Sequence, residues 1–143
     1  MRRRHSSALG LLVAVATLAG CSTKVNQCNE LVAAIKRHTG PIGAEVEHLG
    51  KVESDPTVAD GFGRVIAAAR DDLAALRFED TELAALAQRY LGLLDELDGW
   101  SRGLAQAVRH GDVEALGAAK AAAAGVVDKE RVIVGEINAY CQG

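Results

Sequence analysis

The chain has 143 residues, 16 basic and 19 acidic, for a net charge of −3. Acids and bases alternate along it, so there is no basic face of the kind nucleic acid requires. Phe62, Phe78, Tyr90, Trp100 and Tyr140 are its aromatic residues, and Ala and Leu dominate the rest, which argues against a sheet and for helices.

The chain opens on a short basic stretch, Met1-Arg2-Arg3-Arg4-His5. An uncharged run from Ser6 to Gly20 follows, apolar over about 13 residues from Ala8. Crossing a hydrocarbon core takes roughly 20 apolar residues. This run is too short for that, but it has the length of a signal-peptide core behind a cationic start. It ends in Leu18-Ala19-Gly20-Cys21, which resembles the lipobox of bacterial lipoproteins at every position.

The resemblance covers residues 1–21. It implies that the Cys21 thiol receives a diacylglyceryl group, that residues 1–20 are cleaved as a signal peptide, and that the new amino group is often acylated too. Each buried methylene contributes about 0.8 kcal/mol, and two or more acyl chains anchor stably where one does not. The expected partner is therefore a membrane, held through Cys21, and the expected place is the bacterial cell envelope. Ser22 rather than Asp after the cysteine favours the outer membrane over the inner, by the sorting pattern of enteric lipoproteins. Cleavage removes three Arg and no acid, leaving 13 basic and 19 acidic residues and a net charge of −6. What is left is the length of one domain with one core.

Residues 21–26 read as a short polar tether, and residues 27–143 as an all-α domain. The first helix is expected to start near Asn26, with Leu31, Ile35, Ile42, Val46 and Leu49 at helical spacing and His38 in the gap. Thr39-Gly40-Pro41 interrupts it, and an internal proline costs roughly 3 kcal/mol, so a kink or break is expected near Pro41. Ser54-Asp55-Pro56-Thr57 reads as a turn and a new start. Val58, Phe62, Val65, Ile66, Ala69, Leu73 and Leu76 mark one face of the second helix. Asp80 or Thr81 is placed to cap the third, where Leu83, Leu86, Tyr90, Leu94, Leu97, Leu104 and Val108 recur. Arg109-His110-Gly111 is a C-terminal signature, and Asp112 caps a fourth helix. Its expected stripe is Val113, Leu116, Ala119, Ala123, Val127, Val134, Ile137 and Cys141, with a segment of small residues from Ala118 to Gly125. Four helices with short connections predict an up-down-up-down four-helix bundle.

Besides Cys21 there are two cysteines, Cys28 and Cys141. One opens the first helix and the other closes the fourth, and in this topology those ends meet. Export provides a compartment where a bridge persists, so a Cys28–Cys141 disulfide is expected; free thiols or pairing between chains are the alternatives.

No catalytic, cofactor-binding or metal-ligating set is expected. Glu45-Val46-Glu47-His48 holds one Glu-x-x-His pair, whereas a carboxylate-bridged di-metal bundle uses two such pairs and two further Glu. His38, Glu45 and His48 flank Pro41 and read as a solvated polar face. There is no C-x-x-C-H haem signature and no G-x-S-x-G, and Gly61-Phe62-Gly63-Arg64 lacks phosphate-loop spacing. Asp95, Glu96 and Asp98 fall between apolar helix positions and read as a solvated acidic face. Trp100 reads as the partly buried edge of the core. The expectation is a membrane-anchored, non-enzymatic bundle that acts through an envelope protein partner or structurally, with a small-molecule or metal-binding bundle as the alternative.

Overall fold

A computed structural model describes the backbone of residues 19–143 and the side chains of residues 23–143. The signal segment up to residue 18 and the Cys21 side chain lie outside the described residues. Four α-helices follow one another: α1 (Ala19–His48), α2 (Thr57–Ala75), α3 (Thr81–His110) and α4 (Val113–Gln142), with a 3-10 turn at Leu49–Lys51. Consecutive helices pack along one another, as the up-down-up-down bundle requires.

The chain signals set most of the boundaries. The Asp55 carboxylate accepts from the Thr57 amide at 3.0 Å and the Thr57 hydroxyl at 2.6 Å, which starts α2 with Pro56 just ahead of it. The Asp80 carboxylate accepts from the Glu82 and Leu83 amides at 3.0 and 2.9 Å and opens α3. Gly111 closes α3 at φ 66°, a left-handed conformation that glycine adopts without steric cost. Asp112 then caps α4 through the Ala115 amide at 2.9 Å.

The start of α1 lies earlier than expected, and of the two forms expected near Pro41 the break is not the one adopted. Residues 21–26 are helical, because α1 begins at Ala19 and not near Asn26. The turn around Gln27 and Cys28 is buried against the rest of the bundle, which favours continuing the helix up to it. The helix also runs through Pro41 without a break. Pro41 is exposed, so water can reach the carbonyl that loses its donor. Both flanks of the proline are held on α2: Arg37 bonds Asp72 at 2.7 Å on one side, and the Glu45 side chain lies over Gly61 on the other.

The main core runs the length of the bundle through Leu31, Phe62, Ile66, Leu83, Leu94 and Ile137. A smaller one at the far end joins Val52, Ala59, Leu104 and Ala105. There the two turns are held by Arg109–Asp60 at 2.5 Å and by a Lys120–Glu53 ion pair, so both point away from the chain's start. Trp100 lies between the cores, edge-on to Phe62 at 5.7 Å, and donates to the Ala119 carbonyl at 2.7 Å. It is thus the core edge expected, and the small side chain of Ala119 makes room for it.

The α4 stripe needs correction. Val113 is 80% exposed and Val127 55% exposed, so neither belongs to the core. The inward positions are Leu116, Ala119, Ala123, Val126, Ile133, Val134, Ile137 and Cys141, of which Ile133 and Ile137 are buried. Between Val126 and Ile133 the stripe is interrupted at Glu130, which is exposed; α1 and α4 touch little, and the bundle is open along that seam.

Two glycines on α2 mark close helix approaches. A Cβ on Gly63 would stand 3.1 Å from the buried Ser101 hydroxyl of α3, and one on Gly61 would meet the Glu45 carboxylate at 2.8 Å. Gly99 and Gly103 on α3 have open space instead. Gly63→Val is therefore expected to lower stability by about 1–3 kcal/mol. Gly99→Ala is expected to raise it by up to about 1 kcal/mol, since an exposed helical glycine is replaced. Urea midpoints of the two variants against the parent check both signs.

Candidate functional site

The residues that converge from separate parts of the chain do so at the end where α1 begins and α4 finishes. Cys28 and Cys141 form a disulfide there, with Cα atoms 5.7 Å apart. The helical topology brings them together as expected, within the roughly 7 Å that bridging requires.

Around the bridge lies a set of polar contacts that periodicity does not reveal. The Gln27 side-chain carbonyl accepts from the Glu79 amide at 2.9 Å and the Asp80 amide at 3.2 Å. The Tyr140 hydroxyl donates to Asp80 Oδ2 at 2.6 Å. The Lys24 ammonium stands 4.1 Å from the centre of the Tyr140 ring, a cation–π contact. Asp80 thus caps α3 with one oxygen and holds α4 with the other, while Gln27 ties the same turn to α1. The sequence signal is adjacency: Gln27 and Tyr140 each immediately precede one of the bridged cysteines.

This clasp has a pH signature. The Leu83 amide, then the Tyr140 hydroxyl, hold the Asp80 carboxyl below its ordinary value of 3.8. A lowered carboxylate stabilises the fold above that ordinary value, and the contribution is lost as pH falls through the folded value. Tyr140 is the opposite case: its bond to Asp80, burial and nearby carboxylates push it from 10 up to about 12. Its contribution is complete below pH 10 and is lost as pH rises towards about 12. Tyr90 behaves likewise, raised to about 12 by burial first and by Glu130 second. Stability is expected to fall over this alkaline window, and Tyr140→Phe and Tyr90→Phe should each flatten that fall. Urea midpoints across the window, compared with the parent, test this.

The other sequence-derived candidates do not come together. Glu45 and His48 form one pair on α1, with 3.6 Å between Oε2 and Nδ1. His38 stands instead 3.0 Å from Asp72, which also holds Arg37. The Arg37 and His38 contacts keep Asp72 below the usual carboxylate range. Among the described residues no three His, Cys, Asp or Glu side chains gather as a metal site would need. Asp95, Glu96 and Asp98 are paired with cations: Arg70 lies 3.4 Å from Asp95 and 4.0 Å from Asp98, Arg102 holds Asp98 at 2.7 Å, and Lys129 holds Glu96 at 2.7 Å. Among the described residues, no helix is long and apolar enough to cross a membrane.

No protein-family model, curated protein or solved structure matches this chain.

Proposed function

We propose that the protein is a bacterial envelope lipoprotein, lipidated at Cys21, whose helical bundle acts through contacts with another envelope protein rather than by catalysis. The observation that carries this reading is the order of segments: a basic start, a short apolar run and Leu18-Ala19-Gly20-Cys21, followed directly by the bundle. The continuity of α1 adds a mechanical element. Cys21 and Cys28 lie on one helix, about 10 Å apart along its axis at 1.5 Å per residue.

An acylated Cys21 would therefore hold the clasped end close to the membrane without a flexible linker. Ser22 favours the outer membrane, with the bundle on its periplasmic face. The turns at residues 51–56 and 110–112 would then stand roughly 40 Å away, since each long helix has 30 residues. That distal end and the polar helix faces are where a partner protein would be met. Fixing the distance from the membrane is work a clasped, bridged bundle suits.

The test is crosslinking in envelope fractions, comparing the parent with Cys21→Ser. The expected result is membrane retention of the parent and a crosslinked partner enriched over the variant. Equal release of both from membranes would refute the anchor, and equal crosslinking patterns would refute the partner reading.

A further inference from the structure

The outer face of α3 and α4 carries a groove of about 560 Å³. Its floor is apolar, with Leu93 of α3 and Ile133 of α4 buried beneath it. Gly92 on α3 and Gly125 on α4 keep it open, since a Cβ on either would meet nothing within 4 Å. Val132 of α4 rises from the same groove and is 56% exposed.

Two ion pairs cross this face and fix the level of one helix against the other. Arg89 of α3 pairs with Glu136 of α4, and Glu96 of α3 pairs with Lys129 of α4 at 2.7 Å. Gly92 falls between the two α3 charges and Val132 between the two α4 charges, so a socket and a knob lie side by side at one level. The four charges form a square. Its end nearer the Cys28–Cys141 bridge is positive on α3 and negative on α4, and its distal end is the reverse. All four side chains leave 43–58% of their surface open to solvent, so each can take a second partner. Asp128, at the rim, is taken up by Arg131 of its own helix at 3.1 Å.

We propose that this face pairs with the same face of a second copy of the chain, about a two-fold axis parallel to the helices. That rotation sets α3 of each copy on α4 of the other. Arg89 then meets Glu136 of the second copy and Glu96 meets its Lys129, so every charge of the square faces its opposite. Val132 of each copy enters the open space over Gly92 of the other. A two-fold axis across the helices also opposes unlike charges, but it sets Val132 on Val132 and Gly92 on Gly92, a bump on a bump and a gap on a gap. Shape therefore selects the parallel arrangement. Exposed ion pairs add little affinity and act mainly on register, while the valine in its socket supplies apolar contact. A face two helices wide and 30 residues long measures about 20 Å by 45 Å, the scale of the roughly 800 Å² per partner that a specific interface buries. The pairing goes beyond the anchoring reading and does not depend on it. It keeps both chain starts on one side, so two copies held in one membrane can adopt it.

Sedimentation equilibrium of the purified full-length protein carrying Cys21→Ser tests the proposal free of any lipid. A concentration-dependent dimer is expected. Val132→Arg and Gly92→Trp, both at exposed helix positions, should each weaken it about tenfold or more, the scale of one valine returned to water. Val113→Arg, at an exposed valine of the distal end, should leave it unchanged. Oxidative crosslinking reads the orientation: a Gly92→Cys chain mixed with a Val132→Cys chain should form a disulfide-linked pair, and neither should link to itself. A chain that stays monomeric at every concentration, a dimer indifferent to both Val132→Arg and Gly92→Trp, or a Val132→Cys chain that links to itself overturns the proposal.

Discussion

Removing the Cys28–Cys141 bridge is expected to lower the unfolding free energy by about 4 kcal/mol. The bridge spans a sequence separation of 113 residues, and in the chain-entropy description a loop of that length restricts the unfolded chain by roughly this amount. The native state makes the loss felt at one place. The seam between α1 and α4 is sparsely packed, and α4 has just two buried residues, Ile133 and Ile137. The bridge is the covalent tie across that seam, aided by the Lys24 contact to Tyr140 and, through Asp80, by Gln27. The variant carrying Cys28→Ser and Cys141→Ser should unfold at a lower urea midpoint than the oxidised parent. Its amides over the last turns of α4 should also exchange with solvent faster than those in the middle of α3. Coincident unfolding curves for the variant, the oxidised parent and the reduced parent would contradict this.

Phe62→Ala is expected to cost about 3–5 kcal/mol, the range for truncating a fully buried aromatic side chain. Phe62 is 2% exposed and stands among the largest fully buried side chains of the main core. It also carries the edge-on contact to Trp100, a kind of pair that contributes about 0.5–1.5 kcal/mol beyond area alone. Because the ring lines an interior cavity, its loss enlarges an existing void instead of opening one that neighbours could close. Val113→Ala provides the contrast. That position lies in the expected α4 stripe, yet it is 80% exposed, so the change should stay within about 0.5 kcal/mol. Equilibrium urea unfolding of both variants distinguishes the two positions. A comparable, small effect at each would show that the core is not where Phe62 places it.

These contrasts show which parts of the fold could be read directly. The expected face of α3 packs inward along its length, because large leucines and Tyr90 recur against polar residues and both ends carry recognisable caps, Asp80 and Gly111. The second helix is legible for the same reason. The Cys28–Cys141 pair was legible through topology, since no local pattern relates residues so far apart.

The phase of α4 was not legible. Alanine and glycine from Ala118 to Gly125 give little contrast between faces, and valines stand side by side at Val126 and Val127. The exposed Glu130 then interrupts the stripe between Val126 and Ile133. The continuity of α1 through Pro41 was also hidden. It depends on Asp72 and Gly61, which lie on another helix and are invisible to local pattern. The clasp of Lys24, Gln27, Asp80 and Tyr140 joins three chain segments through single side chains, a kind of contact that leaves no periodic trace. Lipidation at Cys21 follows from sequence order, and one measurement tests it directly.

That measurement is the mass of the N-terminal peptide of the protein recovered from bacterial envelopes. The account predicts a chain that begins at Cys21, with the mass of a diacylglyceryl thioether and of any N-acyl chain added to it. A chain that keeps residues 1–20, or one that begins at an unmodified Cys21, would contradict it.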